Sequence, residues 1–252
     1  MRFLILSDIH SNLEAFEACM EGARGKYDRT LCLGDLVGYG PDPNAVIDPV
    51  RELAEVTIRG NHDKACCGIT DAEDFNPLAR VATMWTRQQL TPDHLAFLRD
   101  LPQGPAHVNG FDIVHGAPAD EDEYIVGPET AMPALKDLTT QVVLFGHTHL
   151  QGGFMLTPAG GFQSIYGDFA AAADGDTVTC TVKLDPGARY LINPGSVGQP
   201  RDGDWRAAFA ILDDAATAVE YYRTPYDLAK TQEKMKGAGL PDPLIRRLEF
   251  GR

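Results

Sequence analysis

The chain has 252 residues, 44% of them hydrophobic and 23% charged, a balance that suits a globular protein with one substantial core and excludes a fibre or a disordered chain. Lys and Arg number 22 against 36 for Asp and Glu, a formal charge of −14 that works against long nucleic acids and anionic lipid as partners. No apolar run approaches the ~18 residues of a membrane span, and a strand beginning at Arg2 leaves no room for a signal peptide, so the expectation is a cytosolic protein with one domain over residues 1–252.

Arg2 to Leu6 reads as a short strand buried on both faces, and it runs directly into Ser7-Asp8-Ile9-His10. Ser11 or Asn12 is placed to cap a helix in which Leu13, Phe16, Met20 and Ala23 recur at helical spacing, ending near Gly25. Thr30 to Leu33 is a second strand, Gly34 to Gly40 a glycine-rich loop, and Pro43 to Leu53 a second helix that Pro49 should kink or split. Val56 to Arg59 is a third strand, leading into Gly60-Asn61-His62-Asp63. Strands alternating with helices predict right-handed crossovers and a largely parallel α/β sheet.

The pattern turns helical over about 72–101. Leu78, Val81, Ala82 and Trp85 mark one amphipathic helix, with Trp85 in the core, and Leu95, Leu98 and Leu101 a second that opens at Thr91-Pro92. Phe111 to Val114 and Val142 to Phe145 are strands again, separated by a helix around Glu129 to Leu138; they end at His115-Gly116 and Gly146-His147-Thr148-His149. A β-rich extension covers about 152–189, where hairpins are expected and Thr177 to Leu184 is the clearest piece; a rim over a crevice and a widened sheet edge both fit it. Tyr190 to Ile192 enters the turn-rich loop Asn193 to Arg201, Ala207 to Leu212 and Ala218 to Tyr222 read as an antiparallel hairpin, and a polar helix spans Tyr226 to Lys236. The tail after Gly239 carries no clear pattern. The five cysteines include no C-x-x-C, which argues against a disulfide framework or a thiolate zinc site; Cys66-Cys67 reads as a partly buried structural pair.

Five apolar runs thus end in residues that bind cations or move protons, and in a parallel sheet the ligand crevice lies beyond the carboxyl ends of the strands. Asp8, His10, Asp35, Asn61, His115, His147 and His149 are carboxylates, imidazoles and one amide oxygen, with no thiolate. The set exceeds the needs of one metal. It suits two borderline or hard divalent cations, drawn from manganese, iron, zinc, nickel and cobalt with manganese favoured, although ligand identity does not fix the choice. Asp35, at a strand end before the flexible Leu36-Val37-Gly38, is suited to bridge them. An isolated histidine is more often a core residue than a ligand; five loaded strand ends together argue the other way.

Asp8-x-His10, Gly34-Asp35, Gly60-Asn61-His62-Asp63, His115-Gly116 and Gly146-His147-Thr148-His149, in this order, resemble the calcineurin-like metallophosphoesterase signature. Ser7 to Asn12, Gly34 to Pro41 and Asn193-Pro194-Gly195-Ser196-Val197-Gly198 are similar to its small prokaryotic branch, related to YfcE-type phosphodiesterases and diadenosine-tetraphosphatase-like proteins, over residues 1 to about 222. The resemblance implies a four-layer α/β/β/α sandwich with two facing mixed sheets in place of a simple open sheet. It implies one cation held by Asp8, His10 and His149, a second by Asn61, His115 and His147, and Asp35 shared. A hydroxide bridging the cations would attack phosphorus, with His62 stabilising the transition state or protonating the leaving oxygen. Substrates implied are small phosphodiesters, or else phosphomonoesters or nucleotide anhydrides.

Several departures matter. Protein phosphatases of the wider family read G-D-x-x-D-R-G where this chain has Gly34-Asp35-Leu36-Val37-Gly38-Tyr39-Gly40, which lacks the carboxylate that orients the histidine and the arginine that binds phosphate. Asp63 replaces a common glutamate and is expected to support its loop. Asn12 and Arg201 are candidate substrate contacts, with helix capping and plain surface exposure as their respective alternatives; Tyr39 either stacks on a base or packs on the loop. A non-catalytic metal-binding scaffold on the same fold is the competing function, disfavoured because every ligand and His62 are present. A nuclease is disfavoured by the acidic balance. The oligomeric state is open, and a homo-oligomer is compatible with the sequence.

Overall fold

The computed structural model describes every residue except Asp168, residues 170–175 and Ala216. In chain order the elements are β1 (Arg2–Leu6), α1 (Leu13–Ala23), β2 (Arg29–Cys32), α2 (Pro43–Leu53), β3 (Val56–Thr57), α3 (Asn61–Cys67), α4 (Pro77–Gln89), α5 (Pro92–Asp100), β4 (Ala106–Val108), β5 (Phe111–Ile113), α6 (Pro128–Asp137), β6 (Val142–Leu144), β7 (Gly152–Leu156), β8 (Phe162–Tyr166), β9 (Val178–Lys183), β10 (Arg189–Asn193), β11 (Ala207–Asp213), β12 (Ala218–Thr224), α7 (Leu228–Gly237) and α8 (Asp242–Arg247), closed by a 3-10 turn (Leu248–Phe250).

Side-chain alternation along the strands builds the layers. Phe3 and Ile5 of β1 enter a central core with Ile113, Val142, Leu144, Tyr190, Ile192 and Leu212, so this core lies between two sheets. Leu4 and Leu6 face the other way, onto Phe16, Cys19, Val46, Ile47, Val50 and Leu98 of the helices. On the second sheet Val143, Phe145 and Leu191 pack outward on Ala131 and Leu135 of α6. The order is β3-β2-β1-β11-β12-β9 in one sheet and β4-β5-β6-β10-β7-β8 in the other, each mixed, which gives the α/β/β/α sandwich and replaces the single open sheet. Within the sheets β1, β2 and β3 run parallel, as do β5, β6 and β10, and this brings the loaded ends together.

Some local expectations needed correction. Pro49 does not split α2, which runs unbroken from Pro43 to Leu53; the carbonyl it leaves unbonded belongs to Ala45, on the exposed face where water can satisfy it. The third strand shrinks to Val56–Thr57, because it lies at a sheet edge and Arg59 N–H turns away to Pro102 O at 2.9 Å. Along α4 the buried residues are Ala79, Ala82, Thr83 and Thr86, while Leu78 and Val81 are exposed, since small side chains let the helix approach α2 and α3 closely. Trp85 packs on the cluster of α4, α7, α8 and Tyr39, as expected. Cys66 and Cys67 are wholly rather than partly buried, and all the cysteines are free.

The segment after residue 152 widens the sheets. β7 and β8 form a hairpin at the edge of one, and β9 pairs with β12 at the edge of the other; part of the expected extension, residues 168 and 170–175, lies outside the described residues. β11 and β12 form the expected hairpin, and the unread tail folds as α8 and the 3-10 turn.

Candidate metal centre

Three of the five loaded loops leave their strands with backbone that ordinary residues avoid. Asp8, His10, Asp35, His147 and His149 have φ of 53°, 48°, 54°, 65° and 60°, a left-handed region that costs a non-glycine residue roughly 1–3 kcal/mol and persists only where neighbours impose it. The loop between β10 and β11 imposes it on the first: Ser196 Oγ and Gly198 N–H both donate to Asp8 O, at 2.8 and 2.9 Å. Asn193 Nδ2 likewise donates to Gly146 O at 2.9 Å and to Thr148 Oγ1 at 3.0 Å. Two glycines are required by contact: a Cβ on Gly60 would stand 2.1 Å from Asp35 Oδ1, and one on Gly146 2.0 Å from Ser7 Oγ.

Two groups of side chains result, Asp8, His10, Asp35 and His149 in one and Asp35, His115 and His147 in the other, each with its ligand atoms within 4.8 Å of one another. Asp35 belongs to both. Its Oδ1 accepts the His62 backbone N–H at 2.9 Å, and its Oδ2 lies 3.6 Å from His10 Nε2 and 3.4 Å from His115 Nε2. Asn61 Oδ1 joins the second group, 3.3 Å from His115 Nε2. All seven expected ligands therefore converge.

The tautomers are set from outside. His10 Nδ1 donates to Val37 O at 3.0 Å, His115 Nδ1 to Leu33 O at 2.8 Å and His149 Nδ1 to Gln199 O at 2.6 Å, which directs each Nε2 into the centre and leaves that of His10 and of His149 free to accept. His147 is reversed: its Nε2 donates to Asp122 O at 3.0 Å, so Nδ1 is the free nitrogen. His10 Nε2 and His149 Nε2 lie 3.1 Å apart, two lone pairs aimed at one point with Asp8 Oδ1 3.4 Å from the second. That donor set fits a divalent cation of intermediate softness.

Burial pushes the His10 and His149 pKa values well below the ordinary histidine range, and lowers His147 to about 3 and His62 to about 4. Burial also opposes charge on Asp35, but His115 and then His62 outweigh it and hold the carboxyl well below the usual carboxylate range. Its counterpart His115, against the same desolvation, is pushed up to about 10 by Asp35. Burial and then the Asp35 charge raise Asp8.

His62 packs against His10, Tyr39 and Phe75, with ring centroids 4.9, 4.5 and 4.6 Å away, and its buried Nδ1 has no partner. The orienting carboxylate missing from the sequence is thus replaced by an aromatic cage. Asp63 supports its loop as expected: Oδ2 accepts from Asp35 N–H at 2.8 Å and Gly60 N–H at 3.0 Å, Oδ1 from Val37 N–H at 3.2 Å.

Asn12 carries the helix cap expected as its alternative role: its Oδ1 caps α1 through Ala15 N–H at 3.2 Å and accepts from Thr231 Oγ1 at 3.1 Å, while one Nδ2 hydrogen goes to Gly198 O at 2.9 Å; the side chain lines the same narrow gap as His10. Arg201 is half-buried rather than a plain surface residue, with its guanidinium 5.7 Å from the Tyr39 ring centroid. Tyr39 itself packs into the α4, α7 and α8 cluster.

The structure adds residues that no sequence signal marked. Lys64 Nζ bonds Glu121 at 2.9 Å and Asp122 at 2.7 Å, fixing the loop whose Asp122 carbonyl holds His147. Tyr124, in the same loop, stacks on His147 at 3.7 Å between centroids, and with Phe75 it walls a cleft of about 270 Å³ beside Asn61 and His147.

The chain is similar to known proteins. A family model described as calcineurin-like phosphoesterase matches residues 1–151. The uncharacterized protein MJ0912 of Methanocaldococcus jannaschii is 32% identical over 257 residues, 98% of this chain and 97% of its own. Among solved structures, a metallophosphoesterase from Sphaerobacter thermophilus superposes with a TM-score of 0.83 at 38% identity, over 100% of this chain and 99% of its own. The hypothetical protein PH1004 of Pyrococcus horikoshii OT3 shares the fold, with a TM-score of 0.74 at 20% identity over 100% and 98% of the two chains.

Proposed function

The chain belongs to the calcineurin-like phosphoesterase family, and from that premise we propose that it is a hydrolase of small phosphate esters that works with two divalent cations, manganese favoured, in the cytosol. Asp8, His10 and His149 would hold one cation, Asn61, His115 and His147 the other, with Asp35 shared. The observation that carries this reading is the position of Asp35 Oδ2, within 3.6 Å of an imidazole nitrogen of each group. When bound, such a pair of cations lowers the pKa of water and neutralises phosphoryl oxygens.

The protein's own groups supply the rest. Arg201, over Tyr39, is the guanidinium nearest to hand for a phosphoryl oxygen, in a site whose loop lacks the family's arginine. His62 stands beside His10 as the group that meets the leaving oxygen; burial keeps it neutral, so it acts there as a hydrogen-bond donor unless the anionic substrate raises its pKa. The substrate classes are phosphodiesters, phosphomonoesters and nucleotide anhydrides. The test is hydrolysis of bis-p-nitrophenyl phosphate and p-nitrophenyl phosphate by manganese-loaded protein, with activity lost on chelation and in both Asp35→Asn and His62→Ala. Activity surviving in both variants would remove the mechanism; tight metal binding with no turnover on a broad ester panel would favour a scaffold.

A further inference from the structure

The cleft beside Asn61 and His147 opens onto the metal centre, since both of these residues belong to the second group of expected ligands. Its outer walls are aromatic and acidic. Phe75 has its ring 4.6 Å from that of His62, and Tyr124 is stacked on His147 at 3.7 Å, so each aromatic ring continues outward from a histidine of the centre. Tyr124 is nevertheless 46% exposed, a large aromatic side chain left in part to solvent.

Both walls are fixed to the helices beside them. Phe75 N–H donates to Ala72 O at 3.2 Å in the turn before Asn76, whose Oδ1 caps α4 through the Leu78 and Ala79 N–H groups at 3.1 and 3.0 Å. On the Tyr124 side, Lys64 of α3 holds Glu121 and Asp122. A slot already held in place costs little ordering when a ring enters it.

Charge decides what enters. Asp71, Asp74 and Asp122 line the cleft, and its one lysine, Lys64, is bonded to Glu121 and Asp122. Among the described residues Asp71 and Asp74 have no ionic or hydrogen-bonded side-chain partner. Carboxylates in this excess repel a second phosphate and accept hydrogen bonds from amino groups. The volume of about 270 Å³, just under the ~300 Å³ at which pockets for drug-sized ligands begin, suits a single ring system.

We propose that this cleft holds the base of a nucleoside ester, so that the protein prefers phosphate esters carrying a flat, amino-bearing aromatic ring over bare sugar phosphates. The cleft rests on the phosphoesterase reading and narrows its substrate class. With the phosphate at the centre, the organic group of the ester passes Asn61 and His147, the base stacks on Phe75 and Tyr124, and its amino group meets the rim of Asp71 and Asp74. A bare sugar leaves both aromatic rings to water. Phe75 and Tyr124 are thus specificity-determining residues.

The probes are non-hydrolysable phosphonate analogues of adenosine 5′-monophosphate, purine riboside 5′-monophosphate and ribose 5-phosphate, titrated calorimetrically into manganese-loaded protein. The adenosine analogue should bind about tenfold tighter than the ribose analogue, the worth of one stacked base, with the purine analogue between them. In Phe75→Leu and in Tyr124→Leu the two outer affinities should draw together, and comparing ligands within one variant cancels any general loss passed through His62 or His147. Tyr124→Phe should keep the preference. Equal affinity of wild type for the adenosine and ribose analogues, binding of neither included, overturns the base cleft, and no variant has to fold for that result. A preference undiminished in both leucine variants overturns it too, and purine bound as tightly as adenine overturns the part given to the acidic rim. A preference for the adenosine analogue in protein that hydrolyses neither adenosine 5′-monophosphate nor bis-p-nitrophenyl phosphate would remove the phosphoesterase reading alone; hydrolysis without the preference removes the base cleft alone.

Discussion

His10 Nε2 and His149 Nε2 meet at 3.1 Å although residues 139 apart carry them, and backbone carbonyls hold the protons of both rings on their far sides. Facing lone pairs repel. The arrangement is at rest only with a positive charge between them.

Metal content follows from that contact and from the shared Asp35. Purified protein reconstituted with manganese should carry about two equivalents by elemental analysis. His149→Ala should lose the equivalent held with Asp8 and His10, whereas Asp35→Asn should depress both. At a free metal concentration of about 100 times Kd, each bound ion raises stability by about 2.7 kcal/mol, so thermal midpoints with and without chelator give a second reading. Equal occupancy in wild type and Asp35→Asn would contradict the assignment.

Replacing His62 should separate catalysis from metal binding. Its ring touches His10, Tyr39 and Phe75 rather than any carboxylate. In His62→Ala, kcat should fall by about 10²–10⁴ while metal occupancy stays near that of wild type. Loss of metal together with activity would make the ring a prop of the site instead.

Asp63 should matter for stability more than for chemistry. Removing its carboxylate leaves the N–H groups of Asp35, Val37 and Gly60 without these acceptors in a buried loop. At about 1–3 kcal/mol for each unsatisfied group, Asp63→Ala should cost at least ~3 kcal/mol in denaturant unfolding and lower metal affinity too. A change under about 1 kcal/mol would mean that water takes over those bonds.

Acid should destabilise the metal-free protein early. Burial lowers His62 from 6.5 to about 4, so between those values the unfolded chain binds a proton that the folded one does not, and stability falls as pH drops through that window. His62 alone accounts for roughly 3 kcal/mol, and His147, lowered to about 3, adds in the same direction. His115 has the opposite sign: raised to about 10, its contribution is complete below pH 6.5 and is lost as pH rises through 10. Thermal midpoints with chelator should therefore peak near neutrality, and a flat profile from pH 7 to 4.5 would contradict the burial of these rings.

The residues that converge were legible because each sits at most a few residues beyond a strand end, as in Leu4-Ile5-Leu6-Ser7-Asp8. The pairing of the sheets was not, since β1 lies between β2 and β11, and the contact of Ile5 with Ala210 spans two hundred residues without a local trace. Lys64 and Tyr124 escaped for a related reason: a single charged or aromatic residue gives no periodicity, and only the fold reveals what it faces. Asn12 shows the converse: read as a phosphate contact or a helix cap, it has its amide oxygen committed to capping and bracing α1.

The central place of β1 also governs the order of assembly. Asp8 and His10 emerge early in synthesis, yet Asp8 is gripped by Ser196 and Gly198, and β1 gains its antiparallel neighbour only when residues 207–213 have left the ribosome. A nascent chain halted before that point carries every ligand but has no closed sheet to hold them. Cation capture is thus deferred to the last stage of biogenesis, and prematurely terminated fragments should neither sequester metal nor act on cellular phosphates.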